Sequence, residues 1–81
     1  MWELFDGDSF ETVYLTAGEW DVNTVKHQLR IRILVDRNKR HYYNITANNS
    51  ERAPLQVSKR SYESMEQALE QAVREIKRRY K

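Results

Sequence analysis

The side chains best suited to chemistry in this chain are Arg30, Arg32, Tyr42, Asn44 and Thr46, and that chemistry is binding rather than bond-making. Guanidinium groups fork onto phosphate oxygens, amides and hydroxyls bond sugars and base edges, and a tyrosine ring stacks on an unpaired base. Lys39 and Arg40 lie close by, and Lys59 and Arg60 extend the positive area. Arg74, Arg78 and Lys81 recur at helical spacing and would form a phosphate-facing ridge. The predicted nucleic-acid site is therefore Arg30, Arg32, Lys39, Arg40, Tyr42, Asn44, Arg74, Arg78 and Lys81. A second candidate surface is acidic, made of Asp6, Asp8, Glu11, Glu19 and Asp21, and suits a basic partner protein or another copy of the chain.

Both surfaces follow from how charge is distributed. Residues 1–25 hold six acids and no Lys or Arg, whereas residues 26–81 hold 14 bases and six acids, a division hidden in the formal net charge of +2. Each also has a plainer structural reading. Alternating Arg, Thr and Asn suit a solvated sheet face, and the Glu70–Arg74 and Glu75–Arg79 spacings are those of ion pairs along a helix whose basic end complements its dipole.

Catalytic and metal motifs do not emerge. Gly7 and Gly18 cannot compose a phosphate-binding loop. Asp6, Asp8 and Glu11 lack the twelve-residue frame of a calcium loop, and turn formation explains Asp6-Gly7-Asp8. His27 and His41 lack the spacing and third ligand of a zinc site. No serine, histidine and carboxylate form a nucleophilic set by spacing. The expectation is a non-enzymatic module with no metal, cofactor or small-molecule substrate.

The elements that must position these residues follow from periodicity. With 81 residues and no cysteine, one small domain held by packing alone is expected, and no apolar run reaches membrane-spanning length. The opening residues show no secretory signal, so a cytoplasmic setting is expected. Leu29, Ile31, Ile33 and Val35 alternate with polar residues, as do His41, Tyr43, Ile45 and Ala47. Matching the buried faces requires a three-residue loop, Arg37 to Lys39, pairing Ile33 with Tyr43, Ile31 with Ile45 and Leu29 with Ala47. Arg30, Arg32, Leu34, Tyr42, Asn44 and Thr46 then share the outer face. The apolar pair Leu34 and Tyr42 there asks for cover by the N-terminal strands or a second molecule.

Upstream, Ala17-Gly18 reads as the turn of another hairpin, Phe10–Thr16 with Glu19–Val25, pairing Leu15 with Trp20 and Val13 with Val22. A short first strand at Trp2–Phe5 and a turn at Asp6–Ser9 precede it. The buried positions change from even to odd between Val22 and Leu29, requiring a bulge or short turn near Asn23-Thr24. After a polar loop at Asn48–Pro54, Leu55 and Val57 suggest a last strand. Tyr62, Met65, Leu69, Ala72, Val73, Ile76 and Tyr80 form one stripe at helical spacing, so residues 64–80 read as a helix opened by a Ser64–Gln67 capping box. The expected fold is α+β: an antiparallel meander of five or six short strands over residues 1–60, with the helix packed on one face.

The order of strand Leu29–Ile33, basic turn Arg37–Arg40, further strands and Lys59–Ser64 leading into a helix resembles the three-stranded arm-binding domain of tyrosine-type integrases over residues 27–81. The resemblance implies a sheet lying in a DNA groove, with roles for Arg30, Arg32 and Tyr42. The chain departs from that pattern in its glycine-free basic turn, its polar loop at Asn48–Pro54 and its acidic 25-residue extension.

Overall fold

The computed structural model describes residues 2–5, 13–47 and 55–80. They form an α+β fold: an antiparallel sheet with strand order β1-β2-β3-β4 and a C-terminal helix. The strands are β1 Leu15–Asn23, β2 Gln28–Val35, β3 His41–Ala47 and β4 Gln56–Val57, and the helix α1 is Met65–Arg79. Four strands are present among the described residues, fewer than the five or six expected.

The β2–β3 hairpin has the predicted register, with Ile33 opposite Tyr43, Ile31 opposite Ile45 and Leu29 opposite Ala47. Its three-residue loop closes with Lys39 at φ 64°, the left-handed residue such loops require, at a position more comfortable for glycine. Asp36 stabilises this turn. Its carboxylate accepts from the backbone N–H groups of Asn38 (2.9 Å) and Arg40 (3.0 Å) and from the Tyr42 hydroxyl (2.9 Å).

β1 corrects the sequence reading. Leu15–Asn23 is one strand along β2, not two strands about an Ala17-Gly18 turn, and Trp20 lies opposite Ile31 and Val22 opposite Leu29. The register slips between Thr16 and Gly18, leaving Ala17 as the extra residue of a bulge. A bulge and a tight turn both switch which parity of residue faces inward, so alternation alone does not separate them. Gly18 is needed for a different reason: a Cβ there would run into the Trp20 ring and lie 3.2 Å from Met65 Sδ. The parity change before Leu29 is a short turn over residues 24–27, closed by the Thr24 N–H on the His27 carbonyl. Trp2–Phe5 is a 3-10 helix rather than a strand. Residues 6–12 and 48–54, with the predicted Asp6–Ser9 turn and Asn48–Pro54 loop, lie outside the described residues.

The core lies between α1 and one face of the sheet. Leu29, Ile31, Ile33, Tyr43 and Ile45 are buried against Ala68, Ala72 and Ile76. The sheet supplies the bulk, and the two alanines let the helix approach closely. Met65, part of the predicted stripe, is 37% exposed, whereas Ala68, outside that stripe, is fully buried. Ser64 caps the helix by accepting from the Gln67 N–H (3.1 Å), as expected. The Gln67 side chain reaches back to the Glu63 N–H, one residue before the amide predicted.

Burial pushes the Asp36 carboxyl upward, but its bonds from the Arg40 N–H, the Tyr42 hydroxyl and the Asn38 N–H outweigh this and hold it below the usual aspartate range. Stability from a lowered folded pKa is present above the unfolded value, and is lost as pH falls from about 4 through the folded value. Asp36→Ala should remove about 1–3 kcal/mol at pH 7 and flatten the acid limb of stability against pH. Urea titrations at several pH values check this, and an unchanged acid limb would exclude Asp36 as a source of that dependence.

Candidate anion-binding cleft

The alternation that buries Leu29, Ile31 and Ile33 under α1 sends Arg30 and Arg32 to the opposite face, as predicted. They are not free there. The β1 register sets Asp21 opposite Arg30 and Glu19 opposite Arg32. Arg30 Nε lies 2.9 Å from Asp21 Oδ1 and 3.2 Å from Glu19 Oε1, and Arg32 Nη2 lies 3.2 Å from Glu19 Oε1. The bond to Asp21, then its charge, raises the Arg30 guanidinium above its ordinary value. Two acids thus neutralise two bases on this face.

The remaining predicted residues divide between structural and exposed positions. Tyr42 donates to Asp36, and its ring meets the Tyr14 ring edge-on at 5.4 Å, so Tyr14 supplies part of the cover that Leu34 and Tyr42 required. Asn44 lies on the same face, opposite Arg32. Lys39 is exposed at the hairpin tip, and Arg74 is paired with Glu70 at 2.8 Å. Lys81, Asp6, Asp8 and Glu11 lie outside the described residues, and Glu19 and Asp21 are ion-paired with Arg30 and Arg32 across the sheet.

Arg40 acts by positioning. β3 pairs with β4 and continues past it: the Ser58 N–H bonds the Tyr43 carbonyl, and His41 and Tyr62 exchange two backbone bonds of 2.8 Å. Between these two anchors Lys59, Arg60 and Ser61 bow out of the sheet edge. Arg40 holds the bow, donating from Nε to Ser61 Oγ (2.9 Å) and from Nη2 to the Ser61 carbonyl (3.1 Å).

The bow forms one wall of a cleft of about 330 Å³. Lys59 and Arg60 stand on this wall, and Gln71, Glu75, Arg78 and Arg79 of α1 form the wall facing them. Spacings of four, seven and eight from Gln71 bring those helix residues to one side. Tyr43 and Tyr62, their rings stacked at 6.4 Å and 25°, line it between the walls, and Gln56 lies at its β4 edge. Glu75 accepts from both Arg78 and Arg79, and is the single carboxylate against four cations. The Arg79 bond most strongly, with help from Arg78, holds Glu75 below the usual carboxylate range against an opposing effect of burial. Burial, followed by the charges of Glu75 and Tyr62, pushes the Tyr43 hydroxyl upward, while Arg78 and Arg79 oppose the rise. Lys59 and Arg60 have no ion pair among the described residues.

Among the described residues of the predicted site, Arg78 alone lines this cleft. Lys59 and Arg60 were visible as a basic pair, but their meeting with Arg79 depends on the bow opposite β3, which has no periodic signature. Among the described residues no group of three metal-ligating side chains comes together, and no helix is long and apolar enough to cross a membrane. No protein-family model, curated protein or solved structure matches the chain.

The brace is testable by hydrogen exchange. Arg40→Ala should lower protection of the Tyr62 amide by about tenfold or more while leaving Ile31 and Ile45 protected. Unchanged protection at Tyr62 would show that the bow holds itself.

Proposed function

We propose that the chain is a small non-enzymatic module that binds nucleic acid by its phosphates in the cleft between the Lys59-Arg60 bow and the end of α1. The observation carrying this reading is the convergence of four cations on one concave site with one carboxylate, while the arginines of the open sheet face are already matched by acids. Lysine and arginine neutralise phosphate charge, and the amides of Gln56 and Gln71 offer bonds to sugar or base edges. A cytoplasmic setting belongs to the same proposal, and the absence of cysteine is compatible with it. Capture of a basic protein or second copy by the acidic segment has less support, because Glu19 and Asp21 are held in ion pairs within the sheet.

Glu75 acts here as an internal competitor that a phosphate must displace from Arg78 and Arg79. Binding to labelled DNA and RNA measured across a salt series should give a log-log slope of about −3 to −4 for duplex DNA and about −3 for a single strand, with the Arg78→Glu, Arg79→Glu double variant losing most of the affinity and flattening the slope. Glu75→Gln should tighten binding a few-fold by removing a like charge from the phosphate site. Absent binding, or a double variant that binds as well as the parent, would reject the cleft; loss in Arg30→Glu, Arg32→Glu with no loss in the double variant would return the site to the sheet face.

A further inference from the structure

The cleft's shape and lining narrow the class of nucleic acid, on the reading that phosphates bind there. A duplex presents phosphates along a convex ridge and keeps its bases stacked inside, so it would engage the rim cations and leave the interior of a concave site unused. This cleft is lined by more than cations. Its volume of about 330 Å³ lies at the small-ligand end of binding pockets, the scale of one nucleotide rather than of a helical groove. The lining also includes the half-buried Tyr62, the buried Tyr43 whose ring stacks on it, and Gln56 and Gln71. Those groups suit an unstacked base, which offers both a π-face and hydrogen-bonding edges.

We infer that the ligand is a single-stranded nucleic acid, one of whose nucleotides enters the cleft with its base against Tyr62 and between Gln56 and Gln71, while Lys59, Arg60, Arg78 and Arg79 hold the phosphates on either side. The open sheet face takes no part. Its cross-strand pairs, Asp21 with Arg30 and Glu19 with Arg32, place two carboxylates where a strand would need cations.

The test is fluorescence anisotropy with labelled single strands of roughly a dozen mixed-sequence nucleotides, as DNA and as RNA, against the same sequences as blunt duplexes. The single strand should bind about tenfold or more tightly than its duplex at equal salt. Tyr62→Ala should weaken single-strand binding about 5- to 100-fold, with Tyr62→Phe close to the parent. Because Tyr62 also packs against the core, Gln71→Glu, at a half-buried position of α1 outside that core cluster, gives an independent reading: a carboxylate lining the cleft should weaken the single strand at least tenfold and the duplex much less. Equal or tighter duplex binding that still depends on Arg78 and Arg79 would overturn the single-strand assignment and leave the phosphate site standing. Single-strand binding indifferent to both Tyr62→Ala and Gln71→Glu would also overturn it. Binding to neither form would reject the phosphate site itself.

Discussion

The close seating of α1 on the sheet governs the rest of the molecule. Ala68 and Ala72 present almost no bulk, so the helix settles onto Ile31, Ile33 and Ile45, which are fully buried. Burying a side chain of that size contributes about 1.5–3 kcal/mol, which makes this seam the main source of stability in a chain with no disulfide. The seam also fixes geometry. With the odd residues of β2 committed to the helix, its even residues must face the other way, and a one-residue slip would bring Arg30 and Arg32 into the core. The same seating places the last turns of α1 beside the bow that follows β4.

Charge separated along the sequence is reunited by the sheet. The acids of β1 come from the negative segment and the arginines of β2 from the positive one, yet the antiparallel register sets them side by side. Exposed ion pairs of this kind stabilise little, but they cancel the field the open face would otherwise project. Positive charge therefore remains where no acidic strand runs past it, at the hairpin tip, the bow and the end of the helix. Glu75 offsets only part of it.

The parts of the fold legible in the sequence were those fixed by a repeating pattern with local punctuation. Alternation in β2 and β3 set their register, and the three-residue loop was the connection that kept both apolar faces together. The helix followed from its stripe and the Ser64 cap. Patterns with two physical solutions were read wrongly: the parity change at Ala17-Gly18 is a bulge in one strand, and a turn there would produce the same alternation. At the candidate site, the sequence shows where bases and acids occur but not which of them become neighbours. Pairing between β1 and β2 joins Arg30 to Asp21 across nine positions, and the bow at Lys59–Ser61 rests on Arg40 some twenty positions away; neither contact leaves a periodic trace.

The proposed binding in the cleft and binding on the open sheet face would perturb different residues. Backbone amide chemical shifts followed by NMR during titration with an unlabelled single-stranded oligonucleotide distinguish the two most directly, because both faces are observed at once. Binding in the cleft should place the largest changes on Lys59, Arg60, Tyr62, Gln71, Arg78 and Arg79, with Glu19, Asp21, Arg30, Arg32 and Asn44 nearly still. Changes concentrated on the latter set, with the cleft unmoved, would contradict it.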